Sequence, residues 1–352
     1  MDAPEEPTPW YRYWATDAEP DPEPDALFHV KHDDAEAAEL APVPEATVPP
    51  VVEATIAPVT EAAVVDEAPL EIALDDPADD APPPTHFARG RVVTIANQKG
   101  GVGKTTTAVS LSAALAQFGA RVLLVDFDPQ GNASSGLGLR VQQGQPTIYH
   151  VLVGDVDIVD AIEPTSVRNL FVVPANGDLA GAEIELVSAF SREQRLRKAL
   201  ESVRGEFDVI LVDCPPTLGL LTVNALTAGD GVIVPIQCEY YALEGLGALQ
   251  RNADLIREQL NPDLEVVGYL LTMLDARTRL SQQVVDEVEA HFGEQVFKTR
   301  IPRSVRLAEA PGFGQPITIF DPGSRAALAY TRLAREVLER LAASVAAEGA
   351  AT

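Results

Sequence analysis

The sequence predicts an α/β domain in which a mostly parallel sheet carries helices on both faces, behind a long polar tail. Three observations predict it. Short, continuously apolar runs such as "RVVTIAN", "RVLLVDFD" and "FDVILVDCPP" read as strands buried on both sides, the pattern of parallel sheets. Helix-length segments alternate with these runs, as crossovers between parallel strands require. A glycine-rich turn, "NQKGGVGKT", joins the first strand to the first helix, which is where α/β domains hold ligands.

The elements follow in order. "RVVTIAN" (91–97) is β-branched and short, hence a strand. "KTTTAVSLSAALAQFG" (104–119) is a helix closed by Gly119. "RVLLVDFD" (121–128) and "LFVVPA" (170–175) are two further apolar strands. "SREQRLRKALESVR" (191–204) spaces its apolar residues as an amphipathic helix does. "FDVILVDCPP" (207–216) is a strand stopped by two prolines, and "GVIVPIQ" (231–237) another strand. "ALEGLGALQRNADLIREQL" (242–260) is a long helix leading to the strand "EVVGYLLTML" (265–274). Helices at 281–292 and 325–347 complete the set.

Composition divides the chain. Residues 1–88 hold 22 acidic residues, 16 of the 28 prolines and only Arg12 and Lys31 as fixed cations. Residues 89–352 hold 31 acidic and 24 basic residues, so the net charge of −27 belongs mainly to the first segment and does not exclude an anionic partner. A like-charged, proline-rich segment buries too little apolar surface to offset its ordering entropy. The expected organisation is a disordered tail at 1–88, one α/β domain at 89–345 and a flexible C-terminus at 346–352. The acidic start "MDAPEEPTPW" lacks a secretory h-region. No apolar run reaches the length that spans a membrane. Cys214 and Cys238 form no C-x-x-C pair, which fits a reducing cytoplasm.

The octet Gln98–Thr105 nearly matches the phosphate-loop pattern G-x-x-x-x-G-K-[ST]. Gly103, Lys104 and Thr105 are in place; Gln98 stands where glycine is usual, and a second lysine, Lys99, follows it. Gly100, Gly101 and Gly103 let the backbone approach phosphate oxygens. The N–H groups from Gly100 through Val102 to Thr106 then converge on the ligand at a helix N-terminus. Lys104 is expected at the β- and γ-phosphates, and the Thr105 hydroxyl on Mg²⁺.

"KGGVGKTT" resembles the deviant phosphate loop of the ParA/MinD class of ATPases, in which the extra lysine is the defining mark. "VDFDPQGNASSGLG", "VDCPPTLGLLTVNAL", "PIQCEYYALEGL" and "IPRSVRLAEAPGFGQPI" sharpen the resemblance towards ParA-type partition proteins, in collinear order over residues 91–340. The resemblance implies an ATP-dependent homodimer that sandwiches two nucleotides, with Lys99 reaching across to the partner's ATP. Asp128 then matches the aspartate that positions or activates the attacking water, and Asp213 the Walker B aspartate holding a Mg²⁺-bound water. Asp126, two residues before Asp128 at a strand end, is expected to support the Mg²⁺ shell. Pro215 and Pro216 stiffen the turn after Asp213. The resemblance puts adenine recognition near Pro302 and Ser304, where family members often carry asparagine at the second position. Slow hydrolysis is expected.

Three uses of such a switch are separable by sequence. An iron-protein role needs cluster-bearing cysteines at subunit-facing turns, which Cys214 and Cys238 do not match. A membrane-positioning role needs a basic amphipathic C-terminal helix; the chain ends "LERLAASVAAEGAAT", so no membrane partner is expected. A DNA role finds Arg277, Arg279, Lys298, Arg300, Arg303 and Arg306 within thirty residues, and such cations give salt-sensitive, sequence-independent affinity. The resemblance implicates Arg277 and Arg306 in nonspecific binding of double-stranded DNA. It also implies a ParB-type centromere-binding partner that stimulates hydrolysis, and a cytoplasmic, nucleoid-associated protein moving chromosome or plasmid origins. The alternative is a relative that positions a division or polar complex. "PWYRYWATD" (9–17) reads either as a docking motif for a polar or cytoskeletal partner or as a solubilising extension, and the acidic tail as a competitor of DNA for the basic patch.

Overall fold

The β-branched run Arg91–Ile95 forms β1, buried along its whole length, and the glycine-rich turn leads from it into α1 (Lys104–Gln117). The structure, a computed structural model, describes residues 83–239 and 246–351. The chain continues through β2 (Val122–Asp126), α2 (Asn132–Gly136), α3 (Ile148–Val153), β3 (Glu163–Pro164), β4 (Leu170–Val173) and α4 (Leu179–Glu185). It then forms α5 (Arg195–Glu201), β5 (Val209–Asp213), α6 (Leu220–Ala228), β6 (Gly231–Gln237) and α7 (Leu246–Gln259). The last elements are β7 (Glu265–Thr272), α8 (Arg279–Phe292), α9 (Val305–Glu309), α10 (Ile317–Phe320) and α11 (Arg325–Ala351).

The seven strands lie in the order β3-β4-β2-β5-β1-β6-β7. All neighbours are parallel except the two-residue β3 against β4. β1, β2 and β5 are fully buried, as strands covered on both faces must be. On one face α1 and α11 pack together over the sheet; Leu111, Leu115, Leu333 and Val337 are wholly buried there. The Thr107 hydroxyl and the Tyr330 phenol, both buried, pair across these helices at 3.2 Å. Arg340 of α11 donates to the carbonyls of Val267, Glu294, Gln295 and Val296 and lies over the Phe297 ring, fastening α11 to the β7 side.

Register places the site. β5 lies between β1 and β2, with Asp213 opposite both Ile95 and Asp126. The turn after β1 and the acidic ends of β2 and β5 therefore meet at one edge, the carboxyl end of the sheet.

Three expectations are corrected. The helix read over 191–204 is broken: Ser191 takes φ 51°, a 3₁₀ turn covers Arg192–Gln194, and α5 proper is seven residues. The boundary at residue 88 is late, since Phe87 packs on the core and His86 Nδ1 meets Asp208 Oδ1 at 3.0 Å. The boundary at 345 falls inside α11, which its alanine-rich sequence carries on to Ala351. The helix α6 leaves no periodic signal in the sequence, because Leu221 to Ala228 are buried all round and show no amphipathic period. The expectations for residues 1–82, including the cluster at 9–17, and the start of the helix at 242–245 lie outside the described residues.

Candidate nucleotide-binding site

Gly101 and Gly103 hold φ values of 76° and 88°, a region that side chains with a Cβ avoid. Gln98 does not take positive φ, so the turn needs no glycine where the standard motif has one. A Cβ on Gly100 or Gly101 would meet nothing within 4 Å, so the loop faces open space. Gly103 caps α1 without any side-chain hydrogen bond, which leaves the first helical N–H groups for an anion. Asn97, buried, fixes the loop's entry: its Oδ1 accepts from Lys99 N at 2.9 Å, and its Nδ2 donates to the Pro235 carbonyl at 2.7 Å.

The two lysines differ. Lys104 is buried and its Nζ donates to the Lys99 carbonyl at 3.1 Å. Burial lowers its pKa, while Asp213 and Asp128 work to keep it charged. Lys99 is half-buried on the rim, and its ammonium makes no ion pair among the described residues.

Asp213 is fully buried, and neither carboxylate oxygen has a hydrogen-bond partner of normal geometry. Burial and then repulsion by Asp126 push its pKa well above the usual carboxylate range; the Thr105 hydroxyl and Lys104 pull the other way. A buried acceptor with nothing to accept from marks a place for a missing cationic or donor group. Asp128 is also buried, its Oδ1 held by Gln130 N at 3.0 Å. Asp126 is placed beside both, but its Oδ2 accepts from Ser134 N at 2.7 Å and Ser134 Oγ at 2.6 Å. Its carboxylate is thus committed to anchoring α2, although burial still raises its pKa to about 6.

The end of β7 closes the site. Thr272 Oγ1 donates to the Val102 carbonyl at 2.9 Å, and a Cβ on Gly103 would touch Met273 and Thr272 at 4.0 Å. Leu274 bridges Pro302 and exchanges backbone hydrogen bonds with Ile301 and Arg303 at 3.0 Å. Pro302 and Ser304 are therefore carried to the loop's flank by the strand end. Ser304 precedes α9 and its hydroxyl makes no capping bond.

The six basic residues sit on the segments that leave this edge. Arg277 forms a two-pronged pair with Asp275 at 2.9 and 3.0 Å and holds that carboxyl down at about 2. Arg300 pairs with Glu289. Arg306 meets Asp321 and Glu309, each at 2.9 Å, and stacks 4.7 Å over Phe320. Arg279, Lys298 and Arg303 are exposed and make no ion pair among the described residues. Half of the six are already answered by acids of the same chain.

A glycine-rich loop on a parallel sheet, a buried lysine within it and an unpartnered aspartate beside it define a P-loop nucleotide-binding protein. A family model described as an AAA domain matches residues 90–266. The sporulation initiation inhibitor protein Soj of Bacillus subtilis is 58% identical over 248 residues, 70% of this chain and 98% of that protein. The chromosome partitioning protein ParA of Myxococcus xanthus is 53% identical over 251 residues, 71% of this chain and 89% of that protein. The chain belongs to the ParA/Soj family of P-loop ATPases. Among solved structures, cobyrinic acid a,c-diamide synthase of Mycobacterium smegmatis, with bound ADP and magnesium, matches with 42% identity. Its TM-score is 0.62, over 70% of this chain and 92% of that one.

Sequence reasoning missed Asn97, Ser134 and Thr272. Each is a common polar residue whose importance comes from a partner the sequence does not point to: Thr272 lies 170 positions from Val102. Only Asn97 carried a local signal, an Asx turn three residues before the loop's first glycine.

Proposed function

We propose that this protein is a weak, Mg²⁺-dependent ATPase whose ATP-bound homodimer holds DNA and whose hydrolysis releases it, segregating chromosome or plasmid origins. The observation that carries the reading is Lys99: a second lysine on the rim of an otherwise complete phosphate loop, its ammonium without an ion pair among the described residues. A cation so placed is free to neutralise charge on the nucleotide of a second copy, as an arginine finger does.

The loop N–H groups and Lys104 bind the phosphates and hold them against α1. Thr105 and, through water, Asp213 would hold Mg²⁺, which would supply charge neutralisation on the phosphate oxygens. The orphaned carboxylate of Asp213 fits that group. Asp128 orients the attacking water and takes its proton, fixed by the Gln130 N–H. Asp126 acts one step back, holding α2 through Ser134. Pro302 and Ser304 flank the base. Arg277, Arg279, Lys298, Arg300, Arg303 and Arg306 contact DNA phosphates, and pairing two such patches in one dimer raises affinity through effective concentration. A ParB-type partner stimulates hydrolysis, and the protein works on the nucleoid in the cytoplasm. No helix among the described residues is long and apolar enough to cross a membrane.

The test is sedimentation with nonspecific DNA or with anionic liposomes, each with ATP, ADP or no nucleotide. Co-sedimentation with DNA only with ATP, lost as salt rises, is the expected result. Binding to liposomes instead, or to DNA without nucleotide, overturns it.

A further inference from the structure

One peptide of the phosphate loop is held from outside the loop. The Val102–Gly103 peptide leads into Gly103, at φ 88°, and glycine offers little steric resistance to rotation of an adjoining peptide plane. Its carbonyl is captured by Thr272 Oγ1 at 2.9 Å. The same hydroxyl lies 3.2 Å from the Ile236 carbonyl; it has one proton, and the shorter contact is to Val102. Thr272 is 2% exposed, so water does not compete for that carbonyl. In a planar trans peptide the carbonyl and the following N–H point in opposite directions. Fixing the Val102 carbonyl on β7 therefore turns the Gly103 N–H away from β7, and that N–H makes no hydrogen bond within the protein among the described residues.

We propose that Thr272 is a positioning residue for nucleotide binding: its hydroxyl locks the Val102–Gly103 peptide so that the Gly103 N–H faces the ligand's phosphate. The inference rests on reading this loop as the nucleotide site. Thr272 touches no ligand; it acts through Val102. The glycines make the loop able to adopt the cradle, and a threonine on another strand chooses the orientation they leave open.

The experiment titrates ADP calorimetrically into the full-length wild type and into Thr272→Val, Thr272→Ser and Thr272→Cys, with the Gly103 amide followed by ¹H–¹⁵N NMR. Thr272→Val keeps the shape and deletes the donor. It is expected to bind about tenfold more weakly, the effect of losing one buried hydrogen bond and freeing its acceptor. Thr272→Ser keeps the hydroxyl and should bind within about twofold of wild type. Thr272→Cys, a weaker donor, should fall between them and keeps the test open if the valine variant does not fold. The Gly103 amide resonance should shift or broaden in the ADP-free valine and cysteine variants and stay in place in the serine variant, which loss of packing alone would not produce. Wild-type affinity in the valine and cysteine variants overturns the inference, as does a serine variant as weak as the valine one. Failure of the wild type to bind ADP would sink the reading of the loop itself.

Discussion

Asp213→Asn should make the nucleotide-free protein more stable and the nucleotide-loaded protein less so. The wild-type carboxylate is fully buried and has no hydrogen-bond partner of normal geometry. Burial and the neighbouring Asp126 raise its pKa despite Thr105 and Lys104, so ionised Asp213 is a net cost in the empty site. Asparagine leaves a neutral group in place of a charged one, and the difference is about 1–2 kcal/mol in favour of the variant. At roughly 2–4 °C per kcal/mol for a domain of this size, melting should rise by about 2–8 °C. Loss of the anion beside Lys104 opposes this, but burial is already the larger influence on that lysine.

The assay is calorimetry in chelator without nucleotide, repeated with a non-hydrolysable ATP analogue and Mg²⁺. The wild type should gain far more from the ligand than the variant, so the order of melting temperatures reverses. Folding raises this carboxyl above its ordinary 3.8. The stability it contributes is therefore complete below that value and is lost as pH rises through the folded-state pKa. The advantage of the variant should accordingly shrink as pH is lowered towards 4. A variant less stable than wild type in chelator would refute the argument, because Asp213 would then be a structural partner of Lys104 rather than a stranded acceptor.

Asp128→Ala should retain ATP binding and dimerisation but lose turnover by about a hundredfold or more; normal turnover removes Asp128 from the chemistry. Lys99→Ala should bind nucleotide with near wild-type affinity and stay monomeric with ATP in sedimentation velocity, whereas a stable ATP dimer contradicts its role across the interface. Arg277→Glu and Arg306→Glu should abolish DNA retention and spare ATP-dependent dimerisation; retention at wild-type level in both would move the DNA face elsewhere. Both cysteines are buried, and burial pushes Cys238 up to about 11 and Cys214 further still. At pH 8 neither should react with a thiol reagent until the protein is unfolded, and fast labelling of the native state would show that face to be open.

How far the sequence could be read depended on whether the signal was local. β1, β2 and β5 were legible because a strand buried on both faces must be apolar throughout. The loop was legible because its glycines, lysine and threonine are adjacent. α6 was not, because complete burial erases the period that marks a helix. Asp126 shows the same limit within the site. Two residues from Asp128, it reads as one of a pair on the metal, and only Ser134, eight positions on, turns it towards α2. The arginine cluster was legible as charge, but not its compensation by Asp275, Asp321 and Glu289, acids that surface patterning gives no reason to single out.

That compensation bears on how the proposed switch works. An isolated basic patch would hold DNA in every nucleotide state, and release would then be slow whatever the ATP did. Here Arg277, Arg300 and Arg306 are each paired with an acid, which each would have to leave before meeting a phosphate in the proposed complex. Exposed pairs of this kind contribute little net stability, because water and salt screen them. Exchanging a carboxylate for a phosphate therefore gains little per contact, and one subunit's patch is weak. Doubling the patch in an ATP dimer makes the second set of contacts intramolecular and multiplies affinity without strengthening any single one. In the proposed switch, weakness of the single patch would be what lets hydrolysis, by separating the subunits, release the DNA. If so, removing the internal competitors should damage the switch by strengthening it: Asp321→Asn with Glu309→Gln should retain DNA with ADP, where the wild type lets go. Unchanged release in that double variant would mean the acids play no part in setting the affinity.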